Sequence, residues 1–314
     1  MGVRKLFCFG YGYCCDYLGY ELLSHHRDAW DIAGTTRDLE KAKTMRYYDI
    51  KPYLFDNEKP LDDPKLFLKD ITHLLISTPP DDNGDPTFLA HADDLVSSMP
   101  NLEWVGYLSS TAVYGDRDGE WVDEESETIP SNKRGSRRLK AEQQWLSLFR
   151  DYDLPVHIFR LSGIYGPGRS ALDSVRAGYA RRIEKPGHAF SRIHVRDIVE
   201  VLLTSMKNPT PGEIFNLCDD LAAPSHEVIA YACDLLGIDP PPLISYEDAD
   251  MSPIARSFYN DNKRLHNDKI KDKLRITLHY PNYKIGLQAC LESEREHDEL
   301  RAKNDPNAYV PISS

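Results

Sequence analysis

Through the first two thirds of this chain, short and nearly continuous apolar runs alternate with longer segments whose apolar residues recur at helical spacing. "VRKLFCFG" (Val3 to Gly10) reads as a buried parallel strand closed by glycine. A helical pattern runs from Tyr13 to about His26. "WDIAGTT" (Trp30 to Thr36) is a second strand, "DLEKAKTMRYY" an amphipathic helix and "KPYLFD" a third strand. "ITHLLISTPP" (Ile71 to Pro80) is a fourth strand stopped by prolines, "DPTFLAHADDLVSSM" a helix, and "EWVGYLSST" (Glu103 to Thr111) a fifth strand. The alternation predicts an α/β chain built on a Rossmann-type, doubly wound parallel sheet covered on both faces.

The rhythm then changes. "GDRDGEWVDEESETIP" is an acidic loop, and "SNKRGSRRLKAE" (Ser131 to Glu142) starts a helix with five Lys or Arg in twelve residues. "DLPVHIFRLSGIYGPGR" carries a sixth strand and its exit loop. "RIHVRDIVEVLLTSM" begins extended and turns helical, "GEIFNLCDD" is a further strand, and "PSHEVIAYACDLLG" is a helix with a glycine stop. From Pro240 the pattern breaks into a prolyl, mixed segment that reads as a smaller C-terminal substrate lobe. The expected division is a dinucleotide-binding unit at 1–166 with about 190–220, the lobe at about 167–189 and 221–292, and a polar tail at 293–314. The tail is expected as a frayed helix and loose end.

Composition narrows the class. The 314 residues, 41% apolar and 10% aromatic, can build a sizeable core. A net charge of -12 disfavours nucleic acid as a partner. No apolar run reaches the ~20 residues of a membrane span, and the apolar stretch after "MGVRK" is too short for a signal peptide. A cytoplasmic location, with no membrane partner, is therefore expected. Gly2 lacks the Ser or Thr that myristoylation wants at position 6, where Leu6 stands. The six cysteines show no C-x-x-C spacing and read as buried thiols, so no metal site is expected.

The strand-to-helix joint "GYGYCC" carries the first chemistry. Gly10 permits a tight turn, and Gly12 lets the backbone approach a pyrophosphate at the helix N-terminus, where Tyr13 begins the helix. Cys15 stands at the third glycine position of G-x-G-x-x-G. The second strand ends "AGTTRD". Thr36 and Arg37 there suit a 2′-phosphate and favour NADP over NAD, while Asp38 fits the N-cap of the next helix. Ser77 and Thr78, closing the fourth strand, and Ser109, in the fifth, are further cofactor-side candidates.

With "YLSSTAVYGD" (Tyr107 to Asp116), "RLSGIYGPGR" (Arg160 to Arg169), "RIHVRDIVEVLL" and "IFNLCDD" added, the chain resembles extended and atypical short-chain dehydrogenases/reductases, the group labelled NAD-dependent epimerase/dehydratase. The resemblance covers roughly residues 3 to 290. It implies an NAD(P)-dependent oxidoreductase or epimerase acting on a small-molecule substrate, with a homodimer as the common assembly. Ser110 stands where the family places the hydroxyl that binds the reacting oxygen.

The family continues with Tyr-Gly-x-x-Lys-Leu-x-x-Glu on a helix, where this chain has Arg134, Gly135, Arg138, Leu139 and Glu142. Arg138 can still donate to ribose hydroxyls. Arg134 cannot act as the tyrosine does, because guanidinium does not deprotonate in proteins, but it can stabilise an oxyanion or clamp an acidic group. The proton is then expected from water, His194 or the substrate, with Tyr114 a mostly structural residue. Arg169, Arg256 and Tyr259 are the substrate-side candidates. Two readings follow: an NADP(H)-dependent oxidoreductase or epimerase on a small polar, anionic substrate with a non-standard site, or a catalytically inactive NADP(H)-binding sensor or scaffold of the same fold.

Overall fold

The structure, a computed structural model, describes residues 2–56 and 58–302. Strand β1 (Arg4–Phe9) is followed by α1 (Tyr13–His26), β2 (Trp30–Thr36), α2 (Leu39–Tyr47), β3 (Lys51–Leu54), a short α3 (Pro64–Leu68), β4 (His73–Ile76), α4 (Pro86–Ser98) and β5 (Trp104–Ser110). A two-residue β6 (Trp121–Val122) precedes α5 (Lys133–Tyr152) and β7 (Val156–Leu161). Next come β8 (Gly163–Tyr165), α6 (Ala171–Arg176), β9 (Arg182–Glu184), β10 (Arg192–His194), α7 (Val195–Lys207) and β11 (Ile214–Leu217). The chain continues with α8 (Ser225–Leu236), β12 (Leu243–Ser245), α9 (Pro253–Phe258), β13 (Arg264–Leu265), α10 (Asp268–Leu274) and α11 (Tyr283–Ala302).

Seven strands make one parallel sheet in the order β11-β7-β5-β4-β1-β2-β3. The winding reverses between β1 and β4, and in such sheets a crevice opens at the carboxyl ends beside that reversal. The apolar runs are continuous because both faces are covered. Leu6 and Cys8 point into one layer with Leu18, Leu22 and Val201, while Phe7 and Phe9 point into the other with Leu95 and Trp145. The alternation is the two-residue period of a strand, with an apolar partner waiting on each side.

Local signals set the element ends. Asp38 caps α2, its carboxylate accepting from Glu40 N at 2.8 Å and Lys41 N at 3.5 Å. Gly237 ends α8 with φ 65°, a left-handed turn glycine adopts freely. Outside the main sheet, β8–β10, β9–β12 and β6–β13 are three small parallel pairs. Helices α6, α8 and α11 bury Leu172, Val228, Ala232 and Leu287 in a separate cluster. Helix α11 runs to Ala302, so the expected polar tail begins as helix, and residues 303–314 of it lie outside the described residues. Among the described residues no helix is long and apolar enough to cross a membrane.

Candidate active site

The turn after β1 is built for close approach. Gly10 holds φ 77°, and a Cβ there would stand 3.0 Å from Thr78 N. Its N–H donates to Thr35 Oγ1 at 2.7 Å. Gly12 is the N-cap of α1 and offers no side-chain cap to the helix N–H groups. That start of α1 therefore fits a pyrophosphate, since anions are favoured at uncapped helix N-termini beside a glycine turn. Cys15 is fully buried, with Sγ 3.6 Å from Gly10 O, so a small thiol fills the third glycine position. Tyr13, the first residue of α1, reaches across the cleft mouth and donates to Pro167 O at 3.0 Å, and Arg169 stacks over its ring at 5.5 Å.

The second corner is the end of β5. Ser110 caps the short turn Thr111–Tyr114 by accepting from Ala112 N at 3.2 Å. Helix α5 packs against that turn at Gly135, where a Cβ would collide with Ala112 O. Behind it lies a buried ion pair: Arg160 Nη2 donates to Glu142 Oε2 at 2.8 Å, both side chains at most 4% exposed. Ser109 Oγ donates to Glu142 Oε1 at 2.6 Å, and Arg160 Nη1 donates to Tyr114 OH at 2.9 Å. Tyr114 OH in turn donates to Asn216 at 2.7 Å, so this tyrosine locks strands together.

The basic helix divides its charges. Arg137 Nε donates to Asp82 Oδ1 at 2.8 Å, and Lys140 Nζ donates to Asp82 O at 3.2 Å, tying α5 to the loop after β4. Arg138 turns inward and donates to Leu108 O at 2.7 Å and Tyr107 OH at 3.1 Å. Arg134 reaches forward and stacks over Phe258, at the end of α9, at 4.3 Å.

These corners open on one cleft of about 970 Å³. It runs from Tyr13 and Ser77 past Ser109 and Ser110 to Tyr259. Among the described residues lining it, Arg134, Arg137, Arg138, Arg169, Arg192 and Lys263 are cationic and Asp261 alone is acidic. Among the described residues the cleft lining thus carries a net positive charge, although the chain is acidic.

Several expected residues sit elsewhere. His194 does not line the cleft. Its Nδ1 accepts from Arg196 N at 3.2 Å and caps α7, Nε2 lies 3.6 Å from Cys290 Sγ, and the ring is 3% exposed. Burial and the nearby Arg196 push it down to about 3, so it stays neutral and inside. It is the last residue of β10, and the pleat turns it into the core. Arg256 also misses the cleft: it donates to Ala249 O at 3.0 Å and stacks on Tyr246 at 5.0 Å. Thr78 is buried against Thr87 at 3.0 Å, while Arg37 is exposed outside the cleft lining. Thr36 is buried, its Oγ1 accepting from Asp38 N at 3.1 Å.

Two further cations line the cleft outside the expected site residues. Arg192 donates to Phe190 O at 2.8 Å and Ala223 O at 2.9 Å, and burial lowers its pKa. Lys263 donates to Gly115 O at 2.8 Å and lies 3.7 Å from Asp261. Arg192 was legible in "RIHV". Lys263 stands in the polar loop "NDNKRL", which carries no periodic signal.

Comparison with known proteins adds lineage to this geometry. The profile of the NAD dependent epimerase/dehydratase family matches residues 89–218. Human dTDP-D-glucose 4,6-dehydratase is 30% identical over 119 residues, 35% of this chain and 34% of that protein. The chain spans about a third of the length of the curated relatives it matches. A conserved protein of unknown function from Silicibacter pomeroyi DSS is 46% identical, with a TM-score of 0.84 over 92% of this chain and 99% of that one. The dTDP-glucose 4,6-dehydratase of Bacillus anthracis, solved in complex with NAD, shares the fold at 16% identity, with a TM-score of 0.75 over 95% of this chain and 98% of the other.

Proposed function

We propose that this chain, whose residues 89–218 match the NAD dependent epimerase/dehydratase family, is an oxidoreductase or epimerase that binds NADP(H) and acts on a small anionic substrate such as a sugar nucleotide. The observation that carries this reading is the cleft that runs from the start of α1 at Tyr13 and Cys14 to Ser110, with six cationic linings against one carboxylate among the described residues. The dinucleotide unit is taken as 1–166 with about 190–220, and the substrate lobe as about 167–189 and 221–292.

A bound nicotinamide supplies or takes up the hydride. The chain's own part is to bind and orient. Gly10, Gly12 and the start of α1 hold the pyrophosphate; Arg37, exposed beside the end of β2, meets the 2′-phosphate by moving its long side chain. Arg138 fixes positive charge over the β5 carbonyl edge and faces the ribose. Ser110 hydrogen-bonds the reacting oxygen, and Arg134 stabilises negative charge on it. Arg169 and Arg192 face the anionic end of the substrate. The inactive-binder reading keeps one supporting observation: Arg134, at the tyrosine's position, is engaged with Phe258.

Protein fluorescence titrated with NADPH and NADH tests the first step. NADPH is expected to bind more tightly, and Arg37→Asp to reverse the preference by about tenfold. Equal affinities before and after the change would take Arg37 out of the site. Turnover of dTDP-glucose or UDP-glucuronic acid with NADP or NAD then separates enzyme from binder.

A further inference from the structure

The cleft as described has no proton donor of the usual kind. Its arginines do not release protons near neutrality. His194 is in the core. The lining phenols are poorly suited: burial pushes Tyr13 and Tyr165 far above the ordinary tyrosine range, and Tyr259 and Tyr283 upward as well. Tyr13 and Tyr165 also commit their hydroxyls to Pro167 O and Asn282 O. One amine lines the cleft among the described residues, and it is Lys263.

Lys263 is fixed to both elements that build the reacting corner. Its Nζ donates to Gly115 O, the residue that closes the turn capped by Ser110. Its ion-pair partner, Asp261 at 3.7 Å, accepts from Ser131 Oγ and from Asn132 Nδ2, the latter at 3.3 Å. Those two residues lead into α5, and Asn132 is its N-cap, two positions before Arg134. The side chain of Lys263 is 10% exposed, so its position is held rather than sampled.

We propose that Lys263 is the proton-transferring residue of this cleft, in place of the tyrosine that Arg134 has replaced. The proposal rests on the dinucleotide-enzyme reading above. In the reducing direction, the substrate carbonyl carbon accepts a hydride from a reduced nicotinamide dinucleotide. The carbonyl oxygen, held by Ser110, accepts a proton from Nζ. The N–H bond breaks as the O–H bond forms. The dinucleotide leaves oxidised, and the neutral amine regains its proton from solvent. The groups around the amine set its readiness. Burial is the largest influence and lowers its pKa, Arg117 lowers it further, and Asp261 and Asp116 raise it, for a net downward shift. His188, whose own pKa Lys263 helps lower, is neutral at pH 7. A lysine so placed is a better acid than one in water.

The test is acetylation of the native protein by acetic anhydride across pH, read residue by residue by mass spectrometry. Lys263 is expected to become reactive at a lower pH than the surface lysines. NADPH is expected to slow its labelling at least tenfold, and 2′-phospho-ADP-ribose, which lacks the nicotinamide, to leave it unchanged. A Lys263 that stays unlabelled, follows the pH dependence of surface lysines, or is untouched by bound NADPH overturns the proposal. Absence of NADPH binding in the fluorescence titration overturns the dinucleotide reading itself, so the two failures are distinguishable. Lys263→Arg keeps the charge and the donor to Gly115 O. It is expected to bind NADPH within about twofold of the parent and to lose about 10²–10⁴ in turnover of whichever sugar nucleotide is accepted. Undiminished turnover in that variant sinks the assignment.

Discussion

Glu142 shows how one residue can be read twice. In sequence it is the last mark of a helical motif. In the fold it is the carboxylate of a buried pair with Arg160, and it also accepts from Ser109 Oγ. Burying two charges is costly, and their attraction and hydrogen bonds offset that cost only while both partners remain. Glu142→Gln leaves the guanidinium of Arg160 without its counter-charge. We expect a loss of about 3–5 kcal/mol, read as a lower urea midpoint with an unchanged slope. Arg160→Met with Glu142→Leu together should recover most of it, because an apolar pair of similar volume removes the desolvation cost. If the single change costs nothing, the pair has no structural role. Arg134 and Arg138 belong to this scale too: their identity was plain in the sequence, but their contacts with Phe258 and with the Leu108 carbonyl were not.

At the scale of elements, the main sheet was largely legible. "WDIAGTT" is strand β2 from end to end, because its apolar residues are bounded by charge on both sides. Asp38 as the cap of α2 was legible from its place before a helical pattern, and its carboxylate accepts from two helix N–H groups. Asp38→Ala is expected to cost about 1 kcal/mol by thermal or urea unfolding and to leave dinucleotide affinity unchanged. A large loss of dinucleotide affinity instead would place Asp38 on the ribose and argue for NAD. The smaller pieces were not legible. Strands β9 and β12 have three residues each and pair residues 61 positions apart (Arg182 with Leu243), so no local period marks them. The same holds for His194: "RIHV" announced a strand leading into a helix, but only the pleat of β10 decides which way the ring turns.

At the scale of the whole molecule, buried titratable groups set the response to pH. Burial lowers His73, His157 and His188 to about 4 and His194 to about 3. Each binds its proton more readily in the unfolded chain, so its contribution is complete above about 6.5 and is lost as pH falls toward 4. Burial raises Asp85 to about 6 and Asp219 to about 8, so theirs is present at low pH and lost as pH rises through those values. Stability is therefore expected to peak near pH 6.5 and to fall on both sides. Urea midpoints from pH 4 to 9 check this, and a midpoint still rising from pH 7 to 9 contradicts it.

The sequence by itself determined the layered α/β architecture, the glycine turn that opens α1 and the run of basic residues that starts α5. All of these rest on local periods, caps and spacings written within a few residues. Only the tertiary structure decided which charges meet. Arg137 went to the loop after β4, His194 and Arg256 left the cleft, and a lysine from an unpatterned loop came to stand beside the turn that Ser110 caps. The physical reason is that a side chain's partner is set by packing between elements far apart in the chain, and no local pattern encodes that distance.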